Sequence, residues 1–237
     1  MKDTRKAAEE LKKLYPYRIE LHAHTKPASH CAEIPTEQVL QTYKDDGYDG
    51  IAITNHFMTS KEMGQKEYAE FYRGELLNAL ELGEKIGIKV YAGAELRFSS
   101  ENNNDYLFFG FDPDDLFHIC RLLDGTLENF VKEYKTDDMF LLQAHPFRSN
   151  MERIHPELLD GYEAFNMHPN HNSRVAVSVR FAQEQGKIMT MGTDFHHPNH
   201  DNLCATRAPY LPENTAELVK LLKSEDFIFE IGNRIII

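Results

Sequence analysis

A chain of 237 residues with 41% hydrophobic and 27% charged residues is long enough for one large α/β core and has the composition of a globular protein. Its net charge of −12, from 38 acidic and 26 basic residues, argues against a sequence-independent binder of long nucleic acid, which needs a basic track. The three cysteines, Cys31, Cys120 and Cys204, are odd in number and widely spaced, which predicts a reducing, cytoplasmic setting without a disulfide framework.

The opening "MKDTRKAAEELKKLY" carries charges at helical spacing and no apolar segment, so it predicts a helix over 4–15 and no signal peptide. No apolar run is long enough to span a bilayer, and no membrane association is expected. Short apolar runs at 17–22, 50–54, 88–93, 106–111, 139–144, 161–165 and 188–192, several rich in Ile, Val, Tyr and Phe, predict strands. Between them, helical spacing predicts helices over 35–47, 65–87, 113–123, 126–134 and 172–186, and another follows at 213–224. The closing "FIFEIGNRIII" fits a last strand, an edge filler or an oligomer contact. Alternating strands and helices predict a parallel sheet, and about seven such units favour a closed (β/α) barrel. The expected organisation is a single domain over 1–237, with a helix at 1–16, the barrel at 17–211, and a helix with an apolar tail at 212–237.

Polar residues collect after the predicted strands. The first is followed by His22, His24 and His30, the second by Asn55 and His56, and the third by Glu95. After the fifth come His145 and Arg148, after the sixth Asn166, His168 and His171, and after the seventh Asp194, His196 and His197. In a β/α barrel these strand ends share one rim, where active sites are built. Residues two apart on a strand face the same way, so His22 and His24 point together, with Glu20 on their side. Imidazoles with carboxylates suit Zn, Mn or Fe, and the expected set contains no thiolate. Glu20 is placed to fix the tautomer of a ligand histidine. His118 reads as structural, His155 as a residue before a helix, and His197 and His200 as loop residues near the site.

The segments "ELHAHT", "GIAITNH", "GAEL", "AHPFR", "GYEAFN" and "GTDFHH" follow one another in an order that resembles the PHP family, the polymerase and histidinol phosphatase superfamily of metal-dependent phosphoesterases. The resemblance spans about residues 18–208 and implies a distorted seven-stranded β/α barrel with two to three divalent ions on its rim. It implies a first ion held by His22, His24, Glu95 and Asp194, and a second bridged by Glu95 and also held by His145. A third would be held by His56, His196 and His30. Two departures stand out. Asn55 replaces an aspartate, which removes a charge behind the ligands. No histidine occurs on the fourth strand, where Asp105 is the nearest substitute.

The expected reaction is hydrolysis of a phosphate ester by a hydroxide bridging two ions. Arg148 is the first candidate to clamp the phosphoryl oxygens, with Arg97, Arg174 and Arg207 as further candidates. His168 and Asn166 would face substrate, and His196 could protonate the leaving group. A small phosphomonoester is favoured, because no basic, aromatic-lined track for single strands is apparent. A nucleotide or oligonucleotide phosphoesterase, an amidohydrolase-type C–N hydrolase and a non-catalytic metal-binding module remain as alternatives.

Overall fold

The computed structural model describes residues 4–60, 62–100, 103–153 and 156–236, so His155 and the extreme ends lie outside the described residues. All seven predicted strands form: β1 (Tyr17–Ala23), β2 (Gly50–Ile53), β4 (Lys89–Arg97), β5 (Tyr106–Phe109), β6 (Phe140–Gln143), β7 (Gly161–Asn166) and β8 (Ile188–Gly192). They neighbour one another in that order within one mixed sheet, and the short β3 (His56–Met58) pairs with β4. β1–β2, β2–β4, β6–β7 and β7–β8 are parallel.

The expected all-parallel barrel is not what forms. β5 runs antiparallel to both β4 and β6. Its connector from β4 is only residues 98–105, and a parallel return needs a crossover of about a dozen residues or more. Closure is also partial. β9 (Cys204–Ala208) and the hairpin of β10 (Ile228–Ile231) and β11 (Arg234–Ile236) extend the sheet from the far edge of β1, which β9 occupies over Tyr17–Ile19. The upper end of that edge stays open, and there the chain leaving β8 returns. Phe195 bridges Ala23, with the His24 N–H donating to its carbonyl at 3.0 Å and its own N–H donating to the His22 carbonyl at 3.2 Å. The sheet therefore curls until its ends are bridged at the rim.

The predicted helices appear as α1 (Thr4–Leu14), α2 (Thr36–Asp45), α3 (Gln65–Ile86), α4 (Leu116–Leu122), α5 (Leu127–Glu133), α6 (Val175–Glu184) and α7 (Thr215–Ser224). α6 starts later than its apolar spacing suggests, because Arg174 adopts a left-handed φ of 48° just before it. α7 buries Leu218, Leu221 and Leu222 in a cluster with Leu107, Phe109 and Leu142, each side chain contributing about 1.5–3 kcal/mol. The apolar tail forms the β10–β11 hairpin, which takes the first of its three readings. No helix among the described residues is long and apolar enough to cross a membrane.

Candidate metal centre

The rim end of the curl collects the predicted residues. His22 lies near the end of β1 and His24 directly after it, His56 opens β3, Glu95 lies on β4, His145 follows β6, and Asp194 and His196 follow β8. The pairing of β3 with β4 sets His56 directly opposite Glu95. His145 and Asp194 both hold left-handed backbone, with φ of 31° and 53°. Non-glycine residues adopt this only where their surroundings fix it, a pattern that gathers at functional sites.

Hydrogen bonds determine which ring nitrogens carry protons. His22 Nδ1 lies 2.8 Å from Glu163 Oε1 and donates to it. The Ser29 hydroxyl donates to Asn55 Oδ1 at 2.9 Å, so it can accept from His24 Nδ1 at 3.1 Å. In the neutral rings both Nε2 atoms therefore carry lone pairs. Those lone pairs face each other at 3.0 Å. His22 Nε2 is also 3.3 Å from Glu95 Oε1 and 3.5 Å from Asp194 Oδ1. His24 Nε2 is 3.5 Å from Glu95 Oε2 and 3.4 Å from the same Asp194 oxygen.

With both rings neutral, these acceptors repel unless a cation lies at their centre; without one, a proton on His22 would serve instead. A tetrahedral shell with bonds of 2.0–2.1 Å has edges of about 3.4 Å, so these spacings fit a divalent ion. Further donors surround this cage. His145 Nε2 is 3.2 Å from Glu95 Oε1, and His56 Nδ1 is 2.6 Å from Glu95 Oε2. One carboxylate thus touches four imidazoles. Glu95 Oε2 and His56 Nδ1 are buried against each other at 2.6 Å, and neither makes a well-directed hydrogen bond among the described residues. His24, His56 and His196 can also bring one nitrogen each within 4.8 Å of one another.

The protein's own charges oppose one another here. Burial pushes the His22 imidazole down, but Glu163, Asp194 and Glu95 outweigh it and hold it well above its usual value. Burial, reinforced by His196 and His56, holds His24 well below. Against the same burial, His56 and His22 keep the Glu95 carboxyl well below the ordinary range, and His22 and His196 do so for Asp194.

Other expectations are redistributed. His30 is exposed and lines a separate cleft with Pro27, Met63 and Tyr68. The turn closed by the Ser29 N–H to Thr25 carbonyl bond points Ser29 inward and His30 away. Cys31 faces the site instead. Its thiol is pushed up by burial, yet hydrogen bonds to His196 and His56 outweigh this and bring it down to about 6. Glu20 does not touch a ligand ring: its Oε1 accepts the backbone N–H groups of Leu21, His22 and Thr193, and Glu163 performs the role expected of it. Asn55 lies behind His24, accepting from Thr25 N and Ser29 Oγ.

Asp105 lies at the site, 3.9 Å from His145 Nε2, but Arg97 forks it through Nε at 2.7 Å and NH2 at 2.8 Å. Arg97 is therefore committed to a carboxylate on the cavity wall. Asn166 is buried and donates to Glu163 and Asp194, which makes it a support and not a substrate contact. Arg207 lies beside Arg18 at the opposite end of β1 and pairs with Glu230 at 2.6 Å, so it is removed from the substrate set. Arg174 donates to the Phe147 carbonyl and lines an adjoining cleft. A cavity of about 410 Å³ opens over the centre, lined by Arg148, His168, His171 and His196 among others. Arg148 reaches from its wall to His171 at 2.6 Å and Asp194 at 3.5 Å.

Comparison with known proteins identifies the family and the fold. The family model described as PHP domain matches residues 20–234. No curated protein shows a significant match to the chain. Among solved structures, PsfC from Pseudomonas syringae PB-5123 superposes with a TM-score of 0.66 at 18% identity, covering 91% of each chain. A two-domain protein from Bacteroides vulgatus ATCC 8482, described as containing a predicted PHP-like metal-dependent phosphoesterase, gives 0.66 at 15% identity. That match covers 91% of this chain and 64% of the other, so the chain spans a little under two-thirds of it. An amidohydrolase from Chromobacterium violaceum, with bound sulfate and no metal, gives 0.52 at 16% identity over 77% of this chain and 89% of that one. At these identities the likeness is one of fold.

Proposed function

The chain belongs to the PHP domain family, and from that membership we propose that it is a metal-dependent hydrolase of phosphate esters acting on a small phosphomonoester. The observation that carries the reading is the 3.0 Å approach of the buried Nε2 atoms of His22 and His24, closed by the carboxylates of Glu95 and Asp194. His22, His24, Glu95 and Asp194 would hold one divalent ion, Glu95 and His145 a second, and His56 with His196 a third. Two or three such ions, of Zn, Mn or Fe, would lower the pKa of a water in their midst and draw charge from phosphoryl oxygens.

The chain's own residues orient the substrate. Arg148 is partly buried on the cavity wall and presents a planar fork for two non-bridging oxygens. Burial takes His168 down to about 3, so it meets the substrate as a neutral imidazole. His196 donates its Nδ1 proton to the Asp194 carbonyl at 2.9 Å, which leaves one nitrogen for the cavity. We assign that nitrogen to a cation and the leaving-group proton to solvent. A cavity of about 410 Å³ suits a small ester better than a polymer. A C–N hydrolase has less support: a carboxylate, Glu95, holds the bridging position, and no lysine lines this cavity among the described residues.

Phosphate release from a panel of monoesters, diesters and amides, with Mn, Zn or Fe supplied, tests the reading. Monoesters are expected to turn over, and His22→Ala to lose bound metal and turnover together. Undiminished hydrolysis by metal-stripped protein would refute it.

A further inference from the structure

We propose that His168 is a catalytic hydrogen-bond donor whose Nε2–H stabilises the departing ester oxygen. The inference rests on the phosphoesterase reading above and assigns one further role within it. The backbone fixes which ring nitrogen carries the proton. The Asn170 N–H donates to His168 Nδ1 at 3.2 Å, and a main-chain N–H can only donate. Nδ1 is therefore an acceptor, the ring is neutral, and its single proton lies on Nε2. A ring in that form offers neither nitrogen to a cation. Among the described residues Nε2 makes no hydrogen bond, yet it is not enclosed. It therefore opens on the cavity that His168 lines above the metal centre.

The donor is held in register with the candidate metal ligands. Asn166 donates to the Asp194 carboxylate at 3.3 Å and accepts the His168 N–H at 3.3 Å. Its Oδ1 also accepts the Ser173 hydroxyl at 2.7 Å, which closes the loop between them. Packing fixes the ring itself. The His171 ring tilts against it with centroids 4.2 Å apart, and the His200 ring stands across it at 4.7 Å. The His196 ring lies 5.7 Å away, and His171 receives Arg148. His168 thus neighbours both a candidate cation ligand and the residue that holds the guanidinium. Phosphoryl oxygens carry full negative charge and are drawn to cations and to Arg148. A neutral N–H attracts them less. It serves best at the ester oxygen, which gains charge only as its bond to phosphorus breaks. The proton that satisfies that oxygen still comes from solvent, so the ring neither gains nor loses one.

Nuclear magnetic resonance and leaving-group dependence, both on the full chain, test this. In long-range proton–nitrogen spectra of the zinc-loaded protein, the ring signal missing from His168→Gln should show a bare Nδ1 and a protonated Nε2. In phosphate release, His168→Leu should lose about 100-fold in kcat on an alkyl phosphate and under about tenfold on dinitrophenyl phosphate, whose oxygen leaves unaided. Its metal content should match the wild type. His168→Gln, with an amide N–H near the same point, should regain about tenfold on the alkyl ester. Equal losses on both esters, a full alkyl rate in His168→Leu, or a proton on Nδ1 would overturn the assignment and leave the phosphoesterase reading intact. No release from either ester by the wild type, with Zn, Mn or Fe supplied, would overturn both.

Discussion

His22 is held from three directions: Glu163 takes its Nδ1 proton, Glu20 takes its backbone N–H, and Gly192 lets its Cβ approach. A Cβ at residue 192 would fall 2.5 Å from that of His22 and 2.7 Å from Glu163 Oε1, so only glycine fits there. Glu163→Gln keeps the shape but turns an amide against the His145 N–H and the Asn166 amide, which both donate to Oε2. Metal affinity should fall about 10- to 100-fold with the fold intact, measured by competition against a chromophoric chelator. Glu20 offers a pH test in metal-free protein. Burial raises its carboxyl to about 7. Between the unfolded value near 4.5 and that value, the folded state binds the extra proton, so stability falls as pH rises. Relative to Glu20→Gln, the wild type should lose up to about 3 kcal/mol across this window in urea titrations. A difference that stays flat with pH would contradict the assignment. The histidines and acids at strand ends were readable because each stands beside an apolar run. Glu163 was not, since nothing local distinguishes an inward carboxylate of β7 that meets His22 from far along the chain. His30 entered the expected set by its spacing from His24, and only the turn at Ser29 decides that it faces away.

At the scale of elements, apolar runs of five or six residues located seven strands, which the structure draws at four to nine residues, because burial on both faces leaves a continuous signature. Strand direction is not written there. It follows from connector length, and the short link before β5 reverses that strand alone. β3 is three residues long and β9 gains its partner from β1 and β10, so neither has a pattern of its own. Helix ends follow capping chemistry more closely. Asn214 accepts the Glu217 N–H at 3.0 Å at the start of α7, while Glu217 accepts the Glu213 N–H at 2.9 Å. Asn214→Ala should cost about 1 kcal/mol of stability and leave metal content unchanged, as urea melts and elemental analysis would show.

Across the whole molecule, the net charge of −12 coexists with a rim that gathers acids and imidazoles around a cation-shaped gap. Divalent ions relieve that concentration of acceptors, so chelation should lower the melting temperature and re-addition of Zn or Mn should restore it. Linkage sets the scale: ligand at about a hundred times its dissociation constant adds about 2.7 kcal/mol. An unchanged melting curve after complete stripping would argue against a centre coupled to the fold. The barrel expectation anticipated where the histidines and acids gather, because any curled β/α layer brings strand ends to one side. It did not anticipate that the ring would close through a single bridge, which depends on β9 having already taken the lower edge of β1.

The left-handed backbone at His145 and Asp194 carries a consequence for laboratory evolution. Both positions hold side chains that the conformation disfavours, and glycine or asparagine would relax them. A library screened for heat endurance in the presence of a chelator should drift toward those residues at 145 and 194; adding a demand for metal retention should restore histidine and aspartate.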